Sequence, residues 1–131
     1  MHRFSLMLLL LCVAPGGARA ADPDPPIETF VVYFQAWSAA IDDPANGVIR
    51  QAAEQVKSHP DEVVSVNGFA STIGSRQANL LLADLRAQVV VDQLLTDGID
   101  PNSVRQSGHG PVPFVLTPEE SRRVEIRIER R

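Results

Sequence analysis

The chain has 131 residues, 44% of them apolar and 21% charged, with a formal net charge of −4. Those figures describe one ordinary globular domain and exclude collagen, coiled coil and disorder. An acidic chain without a basic stripe excludes a nucleic-acid partner, and a single cysteine excludes a disulfide framework and a thiolate metal site.

Met1 to Ala20 reads as a signal peptide. Met1-His2-Arg3 is a short basic start, Phe4 to Val13 is nearly all apolar, and Ala18-Arg19-Ala20 has the small-x-small form of a cleavage site. The apolar stretch is too short for a bilayer, which needs ~20 residues. Cleavage after Ala20 removes Cys12, Arg3 and Arg19 and leaves a more acidic mature chain. Leu11 stands where a lipid anchor at Cys12 needs a small residue, so the expected product is exported, unlipidated and without a transmembrane segment.

Residues 21–29 form a Pro-rich leader in which Pro23, Pro25 and Pro26 disfavour helix and central strand. Phe30 to Phe34 is a continuous run of strand-forming residues. Ser38 to Asn46 is connection, with Pro44 suited to a first helical turn. Val48, Ala52 (or Ala53) and Val56 then recur at helical spacing up to Lys57, and Pro60 bars continuation.

Val63 to Phe69 reads as a second strand, with Val64, Val66 and Gly68 on one face. A long helix follows from Gly74 or Arg76 to Asp97, with Gly98 as its left-handed cap and Pro101 beyond. Val104 to Ser107 is a candidate short strand, and Gly108 to Pro118 a Gly/Pro-rich loop. In the last segment Val124, Ile126 and Ile128 alternate with Arg123, Glu125, Arg127 and Glu129, the pattern of a half-buried strand. The order is β-α-β-α-β-β, which calls for a sheet with helices packed against it.

Catalysis has little to stand on. His59 precedes Pro60 at a helix end and suits carbonyl capping, while His109 between two glycines reads as a turn residue. Glu119 and Glu120 are adjacent in a loop and so diverge, whereas a working carboxylate pair must converge. They are expected to be solvated. No nucleophile elbow, paired-histidine metal motif or phosphate-cradling glycine loop occurs, so the sequence points to no enzyme, metal or cofactor.

Three segments, in this order and spacing, resemble one family. They are Tyr33-Phe34 with Ser38-Ala39-x-Ile41; Gly68-Phe69-Ala70-Ser71-x-x-Gly74-Ser75 with Asn79, Leu82, Arg86 and Ala87; and Gly98-Ile99, Gly108-x-Gly110 and Arg122-Arg123-Val124-Glu125-Ile126. Residues 30–131 look like the OmpA C-terminal domain, the peptidoglycan-binding module of Gram-negative envelope proteins. The resemblance implies an α+β sandwich of order β-α-β-α-β-β, a mixed sheet with helices packed on one face. It also implies a periplasmic place at the cell wall, near the outer membrane.

The family's ligand is the diaminopimelate of the peptidoglycan stem peptide, a zwitterion that needs a guanidinium for its carboxylate and an acid or carbonyls for its ammonium. By resemblance the guanidinium is Arg86, with Asn79 on the same helix and Arg122 or Arg123 as a late arginine. Seven residues separate Asn79 from Arg86, which sets them on one helical stripe about 10 Å apart. The family's Thr-Asp after the second strand is here Ala70-Ser71, so the acid facing the ammonium is replaced by Ser71. Gln35, Ala36, Ala83 and Ser121 are further departures. Binding is therefore expected to be weak. The alternative is a protein-interaction module on the same fold whose peptidoglycan site has decayed.

A second stripe on the long helix supports that alternative. Ala83, Ala87, Val90 and Leu94 are expected to face the sheet. Leu81, Leu85 and Val89 form another stripe, covered either by the loop Pro111 to Leu116, by the leader, or by a protein partner or a second copy in a homodimer.

Overall fold

In the computed structural model, residues 26–111 and 119–131, together with Gly17, are described. The signal-peptide expectation therefore falls outside the described residues except at Gly17; of the leader, residues 26–29 are described, and Glu28 and Thr29 already belong to the first strand because their backbone pairs with the last one. The elements are β1 (Glu28–Tyr33), α1 (Asp43–Ser58), β2 (Glu62–Ala70), α2 (Arg76–Thr96), a 3-10 turn (Pro101–Ser103), β3 (Val104–Pro111) and β4 (Arg123–Arg130). They form one mixed four-stranded sheet of order β1-β4-β2-β3 with both helices on one face, the α+β architecture that the sequence implied.

β4 is the spine of the sheet. Val124, Ile126 and Ile128 are fully buried toward the helices, and the strand pairs antiparallel with β1 and with β2. Arg123, Glu125 and Arg127 take the opposite face, where Glu125 bridges both arginines at 3.1 and 2.7 Å. β1 starts at Glu28, two residues before the apolar run, because its backbone pairs with β4 as far as Ile128.

Helix α1 begins where Asp42 accepts from the Ala45 amide at 2.9 Å, with Pro44 in the first turn. Ile49, Ala52 and Ala53 are fully buried on the sheet. Helix α2 is capped by Ser75, which accepts from Ala78 N. At its other end Gly98 (φ +101) donates to Leu95 O and Ile99 to Leu94 O, the paired bonds of a Schellman motif. The stripe Ala83, Ala87, Val90 and Leu94 is fully buried, as expected. Gly68 permits this close packing, since a Cβ there would overlap the Ala83 carbonyl oxygen.

Three expectations are corrected. β3 continues to Pro111 rather than stopping at Ser107, because backbone pairing with β2 extends to Ala70 whatever the side chains. His109 is accordingly a strand residue beside a bulge and not in a turn; its ring stacks on Phe69 at 4.9 Å and its Nε2 lies 2.9 Å from Asn67 Oδ1. Val89 packs against the core, so the second α2 stripe shrinks to Leu81 and Leu85, which are 64% and 51% exposed. Most of the loop proposed to cover them, residues 112–118, lies outside the described residues. Among the described residues no helix is long and apolar enough to cross a membrane.

Candidate functional site

The C-terminal ends of β1 and β2 and the entry to β4 meet at one pole of the sandwich, beside the first half of α2. After β1 the chain makes a tight turn, closed by Ser38 N donating to Gln35 O at 3.2 Å. Trp37 occupies its third position with φ +54, the one non-glycine among the described residues in the left-handed region. After β2 a second turn forms, in which the Ser71 hydroxyl accepts from Ile73 N at 3.3 Å. Buried Asn79 fastens that turn to α2 by donating to Ile73 O at 2.8 Å and Ser75 O at 3.0 Å.

Arg86 joins the two turns. Its side chain is fully buried, with Nε donating to Ser38 O (2.8 Å), Nη2 to Gln35 O (3.0 Å) and Nη1 to Phe69 O (3.3 Å). The guanidinium also lies 5.3 Å from the centre of the Phe34 ring. These bonds use three of its five N–H groups. Among the described residues no carboxylate is a partner of it. Burial, and secondarily the positive charge of Arg122, lower its pKa from 12.5 to about 10.

Arg122 sits alongside, its Nε donating to Phe34 O at 3.2 Å and its Nη2 3.6 Å from the carboxylate of Glu119. A small cleft of about 50 Å³ opens between the turns, lined by Ser71, Asn79, Arg86 and Arg122 together with Ala36, Trp37, Ile73 and Leu82. Four of the five residues implied by the resemblance thus converge.

Arg123 does not belong with them. Val124 faces the helices, so its neighbour faces away, and the Arg123 guanidinium stacks 4.2 Å over Phe69 on the open side of the sheet. There it pairs with Glu125 and donates to Glu120 O at 2.7 Å. Arg86 stands as a buried post between the two turns. Glu119 is engaged with Arg122 and is not simply solvated.

Trp37 was missed by sequence reasoning. The signal was a lone tryptophan in a connection that needed no large apolar residue. A larger cavity, about 280 Å³, lies at the far pole between Lys57, Glu62, Ile99 and Arg131, but none of the implied residues reaches it. His59 caps there, its Nδ1 donating to Gln55 O at 2.8 Å. Among the described residues no cluster of three or more His, Cys, Asp or Glu is placed to hold a metal ion.

Fold and site together define a small α+β sandwich with an arginine-lined cleft at one pole. The chain belongs to the OmpA family, whose model matches residues 33–126. It is 33% identical over 85 residues to the peptidoglycan-binding protein ArfA of Mycobacterium tuberculosis, across 60% of this chain and 26% of that protein. It is 28% identical over 103 residues to the probable lipoprotein YiaD of Escherichia coli, across 74% of this chain and 47% of that protein. The chain thus spans less than half the length of either relative.

Among solved structures, the peptidoglycan-associated lipoprotein of Burkholderia pseudomallei matches with a TM-score of 0.72 at 24% identity, covering 76% of this chain and 90% of that one. The C-terminal domain of Helicobacter pylori MotB matches with a TM-score of 0.66 at 26% identity, covering 80% and 86%. The first of these, at its low identity, speaks for a shared fold.

Proposed function

We propose that this domain is a non-catalytic peptidoglycan-binding module of the cell envelope, working in the periplasm after removal of residues 1–20. Its ligand is the diaminopimelate of the stem peptide, whose carboxylate is received between Arg86 and Arg122. The observation that carries this reading is a fully buried guanidinium with no carboxylate partner among the described residues, beside a second arginine, at the edge of an open cleft. Buried charges are otherwise paired, so an entering carboxylate supplies what the fold withholds. The names of the relatives, peptidoglycan-binding and peptidoglycan-associated, support the same ligand class.

Binding is weak because the ammonium end meets the Ser71 hydroxyl, already engaged by the Ile73 amide. Restoring a carboxylate through Ser71→Asp adds a charge-assisted contact of ~1.5–3 kcal/mol, which is roughly ten- to a hundredfold in affinity. Calorimetric titration of wild type and Ser71→Asp with free diaminopimelate tests this, backed by co-sedimentation with purified sacculi. Failure of both proteins to bind would defeat the reading.

A second reading is favoured by Leu81 and Leu85, which remain exposed on α2. In it the domain docks a protein partner or a second copy on this face. Sizing chromatography of wild type against Leu85→Glu decides it for self-association.

A further inference from the structure

Trp37 is built into the cleft at a cost. It stands third in the Gln35–Ser38 turn, at a φ of +54 that glycine or asparagine adopts far more readily than an indole. It is also 58% exposed, although it is the one tryptophan of the chain and could bury more area than any other residue. The edge of its ring, at Cη2 and Cζ2, rests on Gly74 of the opposite turn. A Cβ on Gly74 would lie 2.8 Å from that edge, so the glycine makes the seat. The two carbonyls that flank Trp37 in the turn, Gln35 O and Ser38 O, are those that hold the Arg86 guanidinium. The indole is thus fixed within two residues of the proposed carboxylate site.

Among the described residues the cleft's lining carries two arginines and no acid. A ligand with a carboxylate and an ammonium on one carbon would find its anion satisfied and its cation facing Ser71, Ile73 and the indole. Tryptophan offers the strongest aromatic face for a cation, and a quaternary or primary ammonium needs no acid to be held there. We infer that Trp37 receives the ammonium of the diaminopimelate group by a cation–π contact, taking the place of the absent carboxylate. This rests on the peptidoglycan reading above and names how the same site holds the other half of its ligand.

Because Trp37 is the sole tryptophan, biosynthetic fluorination alters this ring alone. Fluorine drains the π face with little change in size, so calorimetric affinity for meso-diaminopimelate should fall stepwise from native to mono- to tetrafluorotryptophan protein. Trp37→Leu, apolar but without a π face, should lose roughly three- to thirtyfold. Pimelate, the same dicarboxylate without ammonium groups, should bind native and fluorinated protein alike. Thermal melts of each protein check that the fold is kept. Diaminopimelate affinity unmoved by fluorination overturns the inference and leaves the peptidoglycan reading intact. Equal losses for diaminopimelate and pimelate also overturn it, making Trp37 a packing residue. A native protein that binds no diaminopimelate ends both.

Discussion

Replacing Arg86 by methionine keeps most of the side-chain bulk and removes the guanidinium that ties two turns to helix α2. Two opposed effects decide the outcome. Three hydrogen bonds from a charged donor, to Ser38 O, Gln35 O and Phe69 O, are lost, at ~1.5 kcal/mol each or somewhat more. Against that, holding the charge in the interior is unfavourable. The fall in pKa from 12.5 to about 10 corresponds to ~3.5 kcal/mol at ~1.4 kcal/mol per tenfold change. The difference leaves Arg86→Met less stable by about 1 kcal/mol, a melting-point fall of roughly 4–8 °C for a domain of this size. Urea unfolding monitored by circular dichroism, with thermal melts alongside, reads both figures. A midpoint equal to or above that of wild type would refute the reasoning, because the charge penalty would then outweigh the bonds. Arg86→Lys should recover little, since one ammonium cannot span three carbonyls set around a planar fork.

Gly68→Ala would drive a methyl into the main-chain carbonyl of Ala83, which cannot swing aside as a side chain could, and should cost at least ~3 kcal/mol by chemical denaturation or abolish folding. Leu85→Glu, at a half-exposed position, should leave stability within ~0.5 kcal/mol of wild type in the same assay. His59 has its pKa raised above 6.5 by the Gln55 carbonyl first and by Glu62 second. A raised value means that the folded state holds the proton more tightly. Its contribution is therefore fully present below pH 6.5 and is lost as pH rises through the folded-state value. Urea midpoints taken at pH 5.5 and 8 should show this drift in wild type and not in His59→Gln.

Side-chain pattern made some of this molecule legible and left other parts hidden. β4 declared itself because one of its faces is wet, so polar and apolar residues alternate. α2 did so because its buried stripe runs from Ala83 to Leu94. β3 was half concealed, since Ser107, Gly108, His109 and Gly110 carry no strand signature and the strand exists through backbone pairing to β2. At the cleft, motif resemblance brought together Ser71, Asn79, Arg86 and Arg122. The alternation that exposed β4 was also enough to separate Arg123 from Arg122, because Val124 must face the helices. The left-handed backbone at Trp37 leaves no trace in composition or spacing. Nor could spacing reveal that Arg86 would spend its donors on three main-chain carbonyls.

β1 runs parallel to β2 and antiparallel to β4, and Ile27 N donates to Ile128 O where β1 begins beside the end of β4. Both the entry to β1 and the exit from β4 therefore lie at the pole opposite the cleft, about 20 Å away along a six-residue strand. A tether attached upstream of Pro26 or downstream of Arg131 would pull on the same end of the sheet and present the arginine pair outward. Surface immobilisation or fusion at either terminus should accordingly leave the mouth unobstructed. Under tension between the ligand and such a tether, the force would run along β1 and β4, loading their ladder of hydrogen bonds in shear rather than peeling them one at a time.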